Sequence, residues 1–355
     1  MLSSAASRLE SNAICVIFRF PPMTNPDPLA LFELTRAIWE EPTAPFHEAG
    51  VRRVIQALLD PMPHVSVESD EFGNLIARYR HGAKPARWAF AAHMDHPGWV
   101  RPPDGRPGEW TFLGGVPQSI REANKERIRS FGDFAMWDLP VADLRDGLLH
   151  SRACDDQGGC AAIVGMFYEL ERLGAEAEVY GFFTRAEEVG FIGALHLARS
   201  GTFQGQGLTV ISLETSSERA PAKIGAGPIV RVGDRTSLFD TGATEEILDI
   251  ARESGIEIQR CLMSGGTCEA TVFQLYGLTS AGLCVALGNY HNVTPEGGLG
   301  AEYISLDDLA GLVALCREIA LRTEPAGRTR VAELLKERLE KEIEEYRPYY
   351  ARADV

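Results

Sequence analysis

The sequence predicts an α/β fold, a three-layer sandwich with helices on both sides of a mostly parallel β-sheet, interrupted by a small all-β insertion. Two observations predict it. Short apolar runs of strand length alternate with longer segments that carry apolar residues at helical spacing, an order typical of a parallel sheet covered by helices. Over residues 99–149 this alternation stops, and the chain is rich in proline, glycine and charge with short strand-like runs.

The predicted elements follow in chain order. Helices are expected over residues 28–41, 45–60, 155–173, 191–200, 244–254 and 306–322. Strands are expected over residues 64–67, 74–79, 87–92, 178–184, 208–213 and 279–286, and over 110–113, 127–131 and 134–137 within the insertion. Two acidic residues suit the positive N-terminal end of the helix at 155–173. Ser305 with Asp308 resembles a capping box for the helix at 306–322.

The 355 residues divide into four predicted parts. Residues 1–22 form an N-terminal extension, residues 23–98 and 150–325 the α/β domain, residues 99–149 the insertion, and residues 326–355 a charged C-terminal helix. This helix carries an apolar stripe of Val331, Leu335, Leu339 and Ile343. The stripe has two interpretations, since it would serve either in assembly or in packing on its own domain.

The composition is acidic, with 50 Asp and Glu against 35 Lys and Arg and a net charge of −15. Such a surface repels nucleic acid and anionic membranes, so neither is expected as a partner. The excess charge indicates either solubility or carboxylates gathered to hold cations. Seven cysteines without a C-x-x-C pair are typical of reduced thiols in a cytoplasmic protein. The longest apolar run near the N-terminus, 13–18, is too short to span a membrane.

A histidine and an aspartate follow the strand predicted at 87–92, in the run Ala-Ala-His-Met-Asp-His-Pro-Gly. Residues i and i+2 lie on the same side of an extended chain. Asp95 can therefore accept a hydrogen bond from the His93 ring, which leaves the other ring nitrogen free for a metal. A purely structural pair is the alternative.

Acidic residues recur at two further junctions between elements. Asp155 and Asp156 are adjacent at a helix entrance and repel each other unless a cation lies beside them, although either also suits a helix cap. Glu187 and Glu188 follow the strand at 178–184, and their side chains diverge. One of this pair can ligate a metal while the other acts as general base. A solvated acidic loop is the alternative.

Two more candidates end later strands: Glu214 after the strand at 208–213 and His291 after the strand at 279–286. Strand ends on one edge of an α/β sheet are where ligand sites form. Two histidines and three carboxylates, one of them shared, supply nitrogen and oxygen ligands for two divalent ions, with zinc the natural candidate. Two ions roughly 3.5–4 Å apart would lower the pKa of a bridging water and polarise a scissile carbonyl.

These motifs resemble the di-zinc exopeptidases of clan MH, and most closely the tetrahedral aminopeptidases, family 42 of the metallopeptidases. The resemblance runs from residue 28 to 323 and includes Gly-Pro-Ile-Val at 227–230, Gly-Ile-Glu-Ile-Gln at 255–259 and Gly-Gly-Thr at 265–267. An insertion between the first and second ligands is also a feature of that family. The resemblance implies a zinc-exopeptidase-like fold and two metal ions per subunit. Zinc is the first candidate for these ions, and cobalt and manganese are the alternatives.

The resemblance also implies a role for each site residue. His93 and Glu214 would hold one metal, Glu188 and His291 the other, and Asp155 would bridge them. Glu187 would be the general base and Asp95 the residue that orients a ligand.

The sequence departs from the family in three places. Glu214 stands where the family has Asp, the insertion is shorter, and Gly-Gly-Thr is followed by Cys268 and Glu269 rather than by Asp. The longer reach of Glu214 bears on metal identity, and either Cys268 or Glu269 replaces the family acid. A homo-oligomer is expected, but not necessarily a dodecamer.

The expected function is a cytoplasmic aminopeptidase that hydrolyses N-terminal residues of peptides with a water bridging two metals. The alternative is an amidase or deacylase that acts on N-acyl amino acids or other amides with the same metal pair. A non-catalytic scaffold or carbohydrate-binding relative is a third hypothesis, which the complete set of ligand residues disfavours.

Overall fold

The computed structural model describes residues 27–82, 84–106, 109–219, 221–323 and 330–352. The helices are α1 (Pro28–Trp39), α2 (Ala49–Leu59), α3 (Gln118–Ala123), α4 (Gln157–Leu173), α5 (Ile192–Arg199), α6 (Thr241–Glu253), α7 (Glu269–Leu275), α8 (Leu306–Ala320) and α9 (Arg330–Tyr346). The strands before α4 are β1 (Val65–Ser69), β2 (Leu75–His81), β3 (Trp88–His93), β4 (Gly98–Val100), β5 (Thr111–Leu113), β6 (Ile128–Ser130), β7 (Phe134–Trp137), β8 (Asp143–Arg145) and β9 (Leu148–Ser151). Those after α4 are β10 (Ala177–Thr184), β11 (Thr209–Ser217), β12 (Ile229–Gly233), β13 (Gln259–Leu262), β14 (Thr279–Gly288) and β15 (Glu302–Ser305).

The main sheet has the order β1-β2-β10-β3-β11-β14-β15-β9-β8, with β12 and β13 attached beside β14. Its central strands β10, β3, β11 and β14 are parallel, whereas the strands on either side pair antiparallel. The central strands are buried along nearly their whole length, as expected for parallel strands covered on both faces. The α/β fold with a parallel centre is therefore confirmed.

The two faces of the sheet bury separate apolar clusters. Along β3, Trp88 and Phe90 belong to the cluster that α1, α2, α4, α6 and α8 cover, and Ala89 and Ala91 belong to the cluster that α5 and α7 cover. Alternation of side chains along the strand produces this division. The arrangement is the predicted three-layer sandwich.

Side-chain caps define where several helices begin. Asp156 accepts a hydrogen bond from Gly159 N–H (3.1 Å) at the start of α4, so Asp156 rather than Asp155 caps that helix. Ser305 accepts from Asp308 N–H (3.2 Å) at the start of α8. The reciprocal half of the predicted capping box is not made, because the Asp308 carboxylate instead accepts from Gly225 N–H and Gly227 N–H (2.7 Å each).

The predicted insertion contains a second sheet, with the antiparallel order β5-β4-β7-β6. Trp99 and Trp137 pack edge to face within it, with ring centroids 4.3 Å apart. The structure differs from an all-β insertion in one respect, since the short helix α3 joins β5 to β6. The next strand, β8, lies inside the predicted range and β9 crosses its end at 149, but both join the main sheet through β15.

The C-terminal helix α9 leaves its apolar stripe half-exposed. Leu335, Leu339 and Ile343 expose 45%, 46% and 51% of their surface, so about half of each of these side chains remains in contact with solvent. The side chain of Val331 and the predicted extension, 1–22, lie outside the described residues. No helix among the described residues has the length and hydrophobicity needed to cross a bilayer.

Candidate metal centre

The predicted site residues meet where the central parallel strands end. His93 is the last residue of β3, Glu187 and Glu188 lie in the turn after β10, and His291 lies in the turn after β14. Glu214 differs from the prediction, because β11 continues to Ser217 and Glu214 therefore lies inside the strand. Asp155 comes from the segment between β9 and α4.

The ligand atoms form two clusters, each within 4.8 Å. One contains His93, Glu187 and Glu214, and the other contains Asp155, Glu188 and His291. Asp155 also faces the first cluster, since its Oδ1 lies 3.5 Å from His93 Nε2 and its Oδ2 lies 3.6 Å from His291 Nε2. A carboxylate between two imidazoles is placed to serve both clusters.

The donor set fits a pair of divalent cations. Asp155 Oδ1 and Glu188 Oε1 are buried and accept no hydrogen bond from the described residues. His93, Asp155 and His291 each expose 5% of their surface or less. Buried carboxylates without partners are costly unless a positive charge lies beside them, and imidazole with carboxylate suits zinc and its neighbours among the divalent metals.

Burial and crowding shift the protonation of these groups when no ion is present. Burial raises the pKa of Glu187 well above its ordinary value, with Glu214 and Glu188 adding to the effect against His93. Burial likewise raises the pKa of Glu214 to about 8. Burial opposes the charged form of His93, but the neighbouring carboxylates, Glu187 first, raise its pKa well above the ordinary value. The cluster thus holds protons that bound cations would displace.

Asp95 has a different contact from the predicted one. Its carboxylate accepts hydrogen bonds from Glu187 N–H (2.9 Å) and Glu188 N–H (3.1 Å). The His93 ring Nδ1 instead lies 3.1 Å from the Asp95 carbonyl oxygen and 3.6 Å from its carboxylate, which is too far for a normal hydrogen bond. The Asp95 carboxylate thus holds the turn of the acidic pair, and it is the Asp95 backbone carbonyl that contacts the imidazole.

Several further groups of the site carried no signal in the sequence. The buried side chains of His96, Asn292 and Glu302 link the segments that carry Asp155 and His291. Arg231 and Arg219 line the same cavity as the metal-ligand candidates. Glu302, Arg219 and Arg231 lie outside the motifs, whereas His96 and Asn292 lie within a few residues of His93 and His291, where the pattern assigned them no role.

The two residues that follow Gly-Gly-Thr take different positions. Cys268 precedes α7, and its N–H donates to Asp234 (3.0 Å). Glu269 begins α7 and exposes 1% of its surface. Burial raises the pKa of Glu269 to about 7, against the effect of nearby His93. Both side chains lie near site residues, Glu269 near His93 and Cys268 near Arg231 and Glu214.

Comparison with known proteins finds relatives that are described as aminopeptidases. A family model described as M42 glutamyl aminopeptidase matches residues 117–315. A putative aminopeptidase from Acetivibrio thermocellus is 25% identical over 197 residues, which cover 54% of this chain and 57% of that protein. The chain thus matches little more than half the length of this relative.

Two solved structures are similar over most of the chain. The TET1 peptidase of Pyrococcus horikoshii, described as able to assemble into a tetrahedron or a large octahedral shell, has a TM-score of 0.67 at 22% identity, covering 82% of this chain and 99% of that one. An aminopeptidase from the archaeon Desulfurococcus kamchatkensis has a TM-score of 0.68 at 20% identity, covering 82% and 95%. At these identities the likeness establishes the fold.

The family model covers more than half of the chain, and it lies over the fold and most of the residues described above. The resemblance expected from the motifs is confirmed: this chain belongs to the M42 glutamyl aminopeptidase family.

Proposed function

We propose that the protein is a metal-dependent aminopeptidase that removes N-terminal residues from peptides. The observation that carries the proposal is the pair of buried clusters with Asp155 between them. In this assignment His93 and Glu214 would hold one metal, Glu188 and His291 would hold the other, and Asp155 would serve both. Zinc suits these nitrogen and oxygen donors best, with cobalt and manganese as alternatives.

When bound, the two ions supply Lewis acidity to the scissile carbonyl and lower the pKa of the attacking water. Glu187 takes the proton that this water loses and delivers it to the leaving amine. The Glu187 carboxylate lies beside the first cluster, with Oε2 3.8 Å from His93 Nε2, a position that suits a general base. Asp95 holds the Glu187 turn in place through two backbone N–H groups.

A paired substrate panel tests the proposal against the amidase or deacylase alternative. The metal-depleted protein would be loaded with Zn²⁺, Co²⁺ or Mn²⁺ and assayed on aminoacyl anilides and on the same anilides with an acylated amine. We expect hydrolysis of the free-amine series only, restored by metal. Preference for the acylated series would establish the alternative, and absence of metal-restored hydrolysis in both would exclude either function.

We further propose that acidic N-terminal residues are preferred, in line with the glutamyl aminopeptidase description of the family. Arg231 exposes 3% of its surface, donates to Ser216 Oγ at 3.3 Å, and leaves Nε without a hydrogen bond to the described residues. Arg219 lines the same cavity with its guanidinium against Gly265. A buried guanidinium with unused donors favours a carboxylate ligand.

Replacing Arg231 tests this preference. We expect Arg231→Met to lower kcat/KM for a glutamyl anilide by roughly 10- to 100-fold, the value of one charge-assisted hydrogen bond lost from a buried site. Hydrolysis of a leucyl anilide should change little. Arg260→Met, which alters an exposed arginine on β13, is the control. An equal loss on both anilides would contradict the proposed role in specificity.

We also propose that the protein is a homo-oligomer and that it is located in the cytoplasm. The TET1 relative assembles into closed shells by its own description, and the half-exposed stripe of α9 leaves apolar surface available for assembly. The six cysteines among the described residues are buried free thiols, which suits a reducing compartment.

A further inference from the structure

Glu302 on β15 is a fully buried carboxylate that accepts hydrogen bonds from three backbone N–H groups. Its Oε2 lies 2.8 Å from Cys154 N and 3.1 Å from Asp155 N. Its Oε1 lies 2.8 Å from His291 N. The side chain has 0% exposure, so water does not compete for these bonds.

The three donors belong to two separate loops, and each loop carries a candidate metal ligand. β15 pairs with both β9 and β14, the strands from which these loops emerge. One carboxylate therefore joins the backbone of Asp155 to the backbone of His291. Its two oxygens divide between the two loops, so the carboxylate sets their separation.

A second buried link joins the same loops. His96 Nδ1 lies 2.8 Å from the Asp155 carbonyl oxygen, and His96 Nε2 lies 3.1 Å from Asn292 Oδ1. Asn292 Nδ2 donates to the Arg152 carbonyl oxygen (3.1 Å). Each of the loops is thus held at two points, by groups that do not face the cavity.

Asp308 provides a comparison within the same chain. It is also a buried carboxylate, and it accepts from Gly225 N–H and Gly227 N–H. Neither glycine adjoins a candidate ligand. Asp308 and Glu302 therefore contribute the same type of loop anchoring, but only Glu302 anchors the metal centre.

We propose that Glu302 is a positioning residue that sets the metal affinity of the site by fixing Asp155 against His291. The inference rests on the proposed function, because it takes these residues as metal ligands. Residues that orient ligands typically contribute roughly 10- to 100-fold to metal affinity. Glu302→Gln would turn an amide NH₂ toward backbone donors and disturb the spacing.

The test measures Co²⁺ binding by the full-length, metal-depleted protein, without substrate. We expect Glu302→Gln to weaken Co²⁺ binding by roughly 10- to 100-fold and to alter the Co²⁺ absorption spectrum. Asp308→Asn should lower the thermal midpoint of the metal-free protein yet leave Co²⁺ affinity unchanged. Unchanged affinity and spectrum in Glu302→Gln would overturn the inference.

A second variant keeps the test decisive if Glu302→Gln does not fold. His96→Gln loosens the other link between the two loops, and we expect it also to weaken Co²⁺ binding. If Glu302→Gln does not fold and folded His96→Gln binds Co²⁺ with wild-type affinity, the inference is overturned. Failure of the wild-type protein to bind Co²⁺ would instead overturn the proposed function itself, so the two failures are distinguishable.

Discussion

At the scale of single residues, neighbouring acids differ in role because their surroundings differ. Glu188 lies 3.3 Å from His291, whereas Glu187 lies 3.8 Å from His93 in the other cluster. The backbone of both is fixed by Asp95. Two consecutive side chains therefore reach two separate positions of the site, as a short turn after a strand allows.

The role of Glu187 is testable by removing its charge alone. We expect Glu187→Gln to retain bound metal after dialysis but to lose roughly 10²- to 10⁴-fold in kcat, the usual contribution of a general base. Metal analysis and steady-state kinetics on an aminoacyl anilide measure the two quantities. Glu122→Gln, on the exposed face of α3, is the control. Near-wild-type activity in Glu187→Gln would show that another group is the base.

At the scale of secondary-structure elements, long apolar segments were predictable, whereas only some of the short strands were. The central strands and the helices α1, α2, α4, α5, α6 and α8 carry enough apolar residues to show a period. The sequence prediction omitted β4, β8, β9, β12, β13 and β15, which are three to five residues long. Such strands exist because a neighbouring strand supplies hydrogen bonds, which a local pattern does not record.

One polar contact between elements gives a prediction about stability. Tyr79 on β2 is fully buried, and its hydroxyl donates to the carbonyl oxygens of Leu170 (3.2 Å) and Ala175 (2.8 Å). We expect Tyr79→Phe to lower the free energy of unfolding by about 1–3 kcal/mol, because buried acceptors lose their donor. Urea denaturation at pH 7 measures the change.

The Tyr79 hydroxyl also makes the free energy of unfolding depend on pH. Burial raises the pKa of Tyr79 to about 12 from an ordinary 10.0. The unfolded chain therefore loses this proton first, and the contribution to stability is complete below pH 10 and declines as the pH rises toward 12. Urea denaturation at alkaline pH should show a shallower decline in Tyr79→Phe than in Tyr276→Phe, a half-exposed tyrosine. Equal declines would contradict the assignment.

At the scale of the whole molecule, the question is which surfaces remain available for assembly. The half-exposed stripe of α9 and the second sheet both lie outside the two main apolar clusters. We expect the purified protein to be a homo-oligomer, because the stripe leaves several apolar side chains in contact with water. Light scattering coupled to size exclusion would give a multiple of the chain mass, and a single-chain mass would contradict the prediction.

The identity of the chemical groups was determined by the sequence alone. The motifs around His93, Asp155, Glu187, Glu214 and His291 are local, and their predicted places at strand ends or a helix start in an α/β chain predict convergence at one edge of the sheet. Family membership followed from the same motifs.

The tertiary structure alone decided which groups hold those motifs in place. Glu302 lies in no motif of the site, and His96, although close to His93 in sequence, contacts Asp155 and Asn292 only because the fold brings them together. The tertiary structure also shows that the Asp95 carboxylate accepts hydrogen bonds from the Glu187 turn and not, as predicted, from the His93 ring. The physical reason is that hydrogen bonds and burial depend on three-dimensional proximity, which a local pattern specifies only within one element.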